Sequence, residues 1–117
     1  MAHKPEKLLA DIIAAGGAVQ AFVGGRSRDE YDHDLMLRSA VERQFEILGE
    51  ALRRLELLDA ELVARISEHR RIVDFRNIIA HGYDSLDSNI VWQAIVDKLP
   101  VLIAEAEALL TEIAGGE

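Results

Sequence analysis

The stretch Arg70-Arg71-Ile72-Val73-Asp74-Phe75-Arg76-Asn77-Ile78-Ile79-Ala80-His81-Gly82-Tyr83-Asp84 gathers the side chains best suited to chemistry. Asn77 and His81 stand four residues apart and so share one face of a helix. Arg76 lies five residues before His81, about 140° around a helix of 3.6 residues per turn, so the two do not simply stack. A guanidinium on a long stem can still swing toward the groove that His81 faces, above all where a second copy of the helix lines that groove. Gly82 is a helix-ending residue, which leaves His81 at a C-terminus whose macrodipole favours the imidazolium. A histidine able to give or take a proton beside a fixed cation is what phosphodiester cleavage requires. One group moves protons while the other stabilises charge developing on the phosphoryl oxygens. The competing account is structural, with Arg76 a surface cation and His81 interacting with terminal carbonyls.

The elements that must hold these residues read as helices throughout, since apolar residues recur at steps of three and four and nothing alternates like a strand. Leu8, Ile12, Ala15, Val19 and Phe22 form a first stripe, opening behind Pro5 and stopping at Gly24-Gly25. Gly16-Gly17 in its middle marks a kink or a close helix approach. Ser27 is placed to cap a short turn. A long helix over 34–58 carries Leu37, Val41, Phe45, Leu48, Leu52 and Leu55 on one face. Asp59 caps a short helix running through Ile66, and the motif occupies a further helical segment over 68–81. Asp87 or Ser88 then caps a last helix with Val91, Ile95, Leu99, Leu102, Ala106 and Leu109 on one face, and Pro100 within it should bend it. The expected fold is all-α, an antiparallel bundle of four to five helices forming a single domain over 1–117.

Composition narrows the possibilities further. The chain has 117 residues, half of them hydrophobic, which suffices for one core. No apolar run is long enough for a membrane span, and the N-terminus lacks the layout of a signal peptide, so a cytoplasmic protein is expected. Without cysteine there is neither a disulfide nor a thiolate metal site. Asp32-His33-Asp34 is too compressed for a metal site, and neither metal nor cofactor is expected. The net charge of −8 repels nucleic acid at long range, so any RNA site must be local, where arginines gather. Glu50 stands among Glu46, Arg53 and Arg54, where pairing one turn apart explains it. Trp92 reads as core or dimer interface rather than a platform for bases.

At Arg76, Asn77, His81 and Tyr83 the sequence resembles the HEPN superfamily and, within it, the HepT-like family, whose Arg-x4-His-x-Tyr motif it carries without departure. The likeness extends to Gly49-Glu50-Ala51 in the long helix and to the closing helix from Trp92 to Leu99-Pro100. There the family's Asp-Leu-Pro ending reads Asp97-Lys98-Leu99-Pro100. The approach to the motif differs: Glu68-His69-Arg70-Arg71-Ile72-Val73 replaces a Pro-rich, Trp-bearing run, which affects the rim of the cleft. The resemblance implies a helical homodimer whose two Arg/His pairs line a shared cleft. It further implies a metal-independent RNase toxin, neutralised when an MntA-type nucleotidyltransferase antitoxin adenylylates the motif tyrosine. Carried over, His81 is the acid–base group, Arg76 the phosphate cation, Asn77 an orienting residue and Tyr83 the AMP acceptor. A second class stays open, since related HEPN-fold proteins bind beside nucleotidyltransferases without cleaving anything.

Overall fold

The computed structural model describes residues 5–67, 72 and 88–115, and every regular element among them is helical. Helix α1 (Pro5–Val23) opens on the expected proline. A turn follows in which Gly25 adopts a positive φ of 76°, a conformation that glycine reaches without the steric cost of a Cβ. Ser27 then caps α2 (Arg28–His33) through a reciprocal pair of bonds: the Glu30 N–H donates to Ser27 Oγ at 3.1 Å, and the Ser27 N–H donates to Glu30 Oε1 at 3.1 Å. Asp34 caps the long α3 (Leu35–Leu58), accepting from the Leu37 N–H at 3.0 Å. Asp59 does the same for α4 (Ala60–Val63), accepting from the Leu62 N–H at 3.1 Å. This short helix stops three residues before the expected Ile66, and 64–67 continue as turns.

The last helix is continuous but not uniform. It runs as α5 (Ser88–Gln93), a π-helical turn (Ala94–Lys98) and α6 (Leu99–Gly115). Pro100 accounts for the wide turn. In a regular α-helix its ring would press on the carbonyl four residues earlier, and it has no N–H to donate. Here the Leu99 N–H reaches back five residues to the Ala94 carbonyl, which moves the preceding turn out of the way and lets the helix resume.

All the apolar positions expected on α3 and on the last helix are buried, as are Leu8, Ile12, Ala15 and Val19 of α1. Phe22 departs from that pattern at 37% exposed, and its neighbour Val23 packs against the core in the last turn of α1. Helix α1 lies against both α3 and α6. The approach to α6 is close enough that a Cβ on Gly16 would stand 2.8 Å from Ile103 Cγ1 and 3.3 Å from Leu99 Cδ1, whereas a Cβ on Gly17 would meet nothing within 4 Å among the described residues. Gly16 is therefore the close-approach residue of the pair. The whole is an all-α, HEPN-like bundle, with no strand among the described residues. No helix among them is long and apolar enough to cross a membrane.

Candidate functional site

Arg76, Asn77, His81 and Tyr83 lie outside the described residues, as do Arg70 and Arg71. The structure describes the framework on either side of them. Upstream, the chain leaves α4 through backbone bonds from the Arg65 N–H to the Leu62 carbonyl (3.1 Å) and from the Ile66 N–H to the Val63 carbonyl (2.8 Å). Ile66 is buried in the core, and so is Ile72 within the approach to the motif. Arg65 and Ser67, on either side of Ile66, reach across to α6. The Arg65 guanidinium donates to both oxygens of Glu112, at 2.9 and 2.7 Å. Both donors of Ser67 meet Glu105, the backbone N–H at 3.0 Å and the hydroxyl at 2.8 Å. The contact between Arg65 and Glu112 holds the Glu112 carboxyl below its ordinary range and raises the guanidinium, each ion favoured by the other.

Downstream, Trp92 of α5 packs against Tyr31 of α2, ring centroids 5.7 Å apart and tilted by 46°. Partly buried and packed against the core, the tryptophan takes the first of the two roles expected for it, core or dimer interface. Tyr31 is fully buried, and among the described residues its hydroxyl has no hydrogen-bond partner, nor has Oδ1 of Asp32 beside it. Burial pushes the Tyr31 phenol well above its usual range, reinforced by the nearby Glu42 carboxylate. Burial also raises Glu42, against the opposing pull of Arg38. Arg38 in turn donates to the Asp32 carbonyl oxygen. The side chains of 32–34 are engaged locally. Asp32 pairs with Arg28 at 3.7 Å, the His33 Nδ1 lies 2.8 Å from the Asp29 carbonyl oxygen, and Asp34 uses one oxygen for its cap and accepts from Arg26 with the other at 3.3 Å.

A third feature is an open groove of about 270 Å³ between α1 and α3, lined by Leu8, Asp11, Arg43, Glu46, Glu50 and Arg54 among others. Glu50 accepts from Arg54 Nε at 3.0 Å, with Arg53 at 4.0 Å, which bears out pairing one turn apart. Its side chain is only 29% exposed, however, so it sits in the groove wall rather than on an open face. Sequence reasoning missed the contacts of Glu105 and Glu112. Partners 38 and 47 residues distant leave no periodic trace in one sequence.

The ribonuclease HepT-like family matches residues 12–109, which includes the framework on both sides and the whole Arg76–Tyr83 motif. The chain belongs to that family. Three curated proteins named "Putative RNase" are similar to it over most of their length. One from Methanocaldococcus jannaschii is 29% identical over 85% of this chain and 90% of its own. A second from the same organism is 25% identical over 92% and 88%. One from Caldanaerobacter subterraneus is 27% identical over 75% and 78%. No solved structure gives a significant match.

Proposed function

We propose that this protein is an endoribonuclease, the toxin of a toxin–antitoxin pair, working in the cytoplasm as a homodimer of single domains over 1–117. The observation that carries the reading is the match to a ribonuclease family across the segment holding Arg76, Asn77, His81 and Tyr83. In the mechanism, a ribose 2′-hydroxyl gives its proton to His81 and attacks the adjacent phosphorus, and the bond from phosphorus to the 5′-oxygen breaks as that oxygen takes up a proton, leaving a 2′,3′-cyclic phosphate. Arg76 stabilises the charge gathering on the phosphoryl oxygens, and Asn77 orients. Pairing of two chains supplies the second wall of the cleft, since one Arg/His pair on a small bundle makes little pocket alone. Control is by a partner nucleotidyltransferase of the MntA type, which adenylylates Tyr83. The bulk and negative charge of AMP beside His81 then exclude an RNA phosphate.

The test is cleavage of RNA by the purified protein in the presence of EDTA. RNA should be cut and DNA spared, because DNA lacks the attacking 2′-hydroxyl, and products should end in a 2′,3′-cyclic phosphate or its hydrolysis product. His81→Ala should lose on the order of a hundredfold or more in rate. Arg76→Lys should also be impaired, because an ammonium lacks the planar paired donors. Cleavage that disappears with chelator, or persists in full in His81→Ala, refutes the mechanism. The net charge of −8 favours a second reading, a non-catalytic HEPN-fold partner of a nucleotidyltransferase, and that reading predicts binding without cleavage.

A further inference from the structure

Three consecutive residues just ahead of the motif segment are each fixed by a different contact. Ile66 is sunk in the core at 1% exposed. Arg65 before it and Ser67 after it are held on α6 by Glu112 and Glu105. These two carboxylates stand seven residues apart, two turns of one helix face, roughly 10.5 Å along the axis. Pairs one turn apart, such as Lys7–Asp11 and Arg54–Glu50, act within a single helix. The contacts to Glu105 and Glu112 instead tie the chain across the bundle. The grip on Ser67 is also more than a tether. Bonding its N–H fixes the orientation of the peptide plane, and bonding its hydroxyl to the second oxygen of the same carboxylate fixes its side-chain rotamer.

We infer that Glu105, seconded by Glu112, is a positioning residue for the reaction of Arg76 and His81. It sets where and at what angle the chain departs into the motif segment, nine residues before Arg76. The inference rests on the ribonuclease reading proposed above. The physical basis is a difference in sensitivity. Bonds at the surface add little to global stability. Catalysis by proton transfer and charge stabilisation, by contrast, loses up to about a hundredfold when a group is misplaced by about 1 Å. Loss of the grip should therefore leave the protein folded and able to hold RNA, yet slow.

The experiment compares full-length wild type with Glu105→Ala, Glu105→Gln, Ser67→Ala and the Glu105→Ala/Ser67→Ala pair, with Glu107→Ala as an exposed charge control on the same helix. Single-turnover and steady-state RNA cleavage, the melting temperature and amide hydrogen exchange of peptides spanning 65–81 are measured together. Expected are a kcat at least tenfold lower in Glu105→Ala with KM within twofold, a melting temperature within a few degrees, and faster exchange in 65–81. Glu105→Gln, keeping one acceptor, should recover part of the rate, and the double variant should be no slower than the slower single one. Unchanged kcat and exchange in Glu105→Ala would overturn the inference. So would a loss matched by a fall in melting temperature, or additive losses in the double variant. A wild type that cuts no RNA defeats the ribonuclease reading by itself. The exchange measurement then still decides the grip, sustained by faster exchange in 65–81 and overturned by unchanged exchange.

Discussion

Adjacent glycines in α1 offer a measurement in which one term cancels. Gly16→Ala and Gly17→Ala gain the same helix propensity, about 1 kcal/mol each. At Gly17 the new methyl group meets nothing within 4 Å among the described residues, so the full gain should appear as added stability. At Gly16 it would stand 2.8 and 2.9 Å from Ile103 Cγ1 and Cδ1 and 3.3 Å from Leu99 Cδ1. Ile103 must move, or α1 and α6 must separate, and overpacking of this kind costs typically about 1–3 kcal/mol. The net change at Gly16 is then between roughly zero and 2 kcal/mol of destabilisation, placing the two variants about 1–3 kcal/mol apart. For a domain of this size that is on the order of 4–12 °C in melting temperature. Circular dichroism at 222 nm through heating and through urea reads it directly. Ile103→Ala supplies the cross-check, because it should cost less in the Gly16→Ala background than in wild type. If Gly16→Ala stabilises as much as Gly17→Ala, the close packing of α1 on α6 is wrong.

The other expectations concern buried polar groups and control. Tyr31→Phe removes a buried hydroxyl that has no partner among the described residues, and it should be neutral or stabilising by up to about 2 kcal/mol. A clear loss in urea midpoint would mean that the hydroxyl is bonded. Glu42 has a carboxyl raised by burial, so its stability contribution is fully present below its ordinary pKa of 4.5 and is lost as pH rises through the higher folded value. Glu42→Gln should therefore stabilise the protein at pH 7 and show little benefit near pH 4, and a benefit that grows on acidification contradicts the cause assigned. Asp34 runs the other way. Its carboxyl is lowered chiefly by the bond from the Leu37 N–H, so the stability it adds is present above its ordinary pKa of 3.8 and lost as pH falls through the lower folded value. Asp34→Ala should accordingly be most damaging at neutral pH, and an effect independent of pH down to the acid limit rules the cap out as the source. Tyr83→Phe should keep most cleavage activity yet escape silencing by a cognate nucleotidyltransferase supplied with ATP and magnesium. Mass spectrometry finding AMP on another residue moves the switch elsewhere.

Local rules made much of this fold legible. Apolar residues at steps of three and four put the right faces of α3 and the last helix into the core, because a helix must bury one stripe whatever it packs against. Ser27 and Asp59 announced helix starts, since a side-chain oxygen three residues ahead of an orphan N–H satisfies it within one turn, and the structure adds Asp34 as a third cap of the same kind. The Arg76–His81–Tyr83 motif was visible for the same reason, its spacing being local. What depended on the tertiary structure was everything with a distant partner. Phe22 sits on the right stripe but in the last turn, where Val23 packs on the core. Pro100 predicted a bend, while the response found is a π-helical turn one step earlier. Of two neighbouring glycines, only the position of Ile103 decides which one cannot bear a side chain. Glu105 and Glu112 look in sequence like solvated charges on an acidic helix. Only the folding of α6 against the end of α4 brings them to Ser67 and Arg65, because a contact between residues 38 or 47 positions apart is made by the packing of whole elements and not by the spacing of residues.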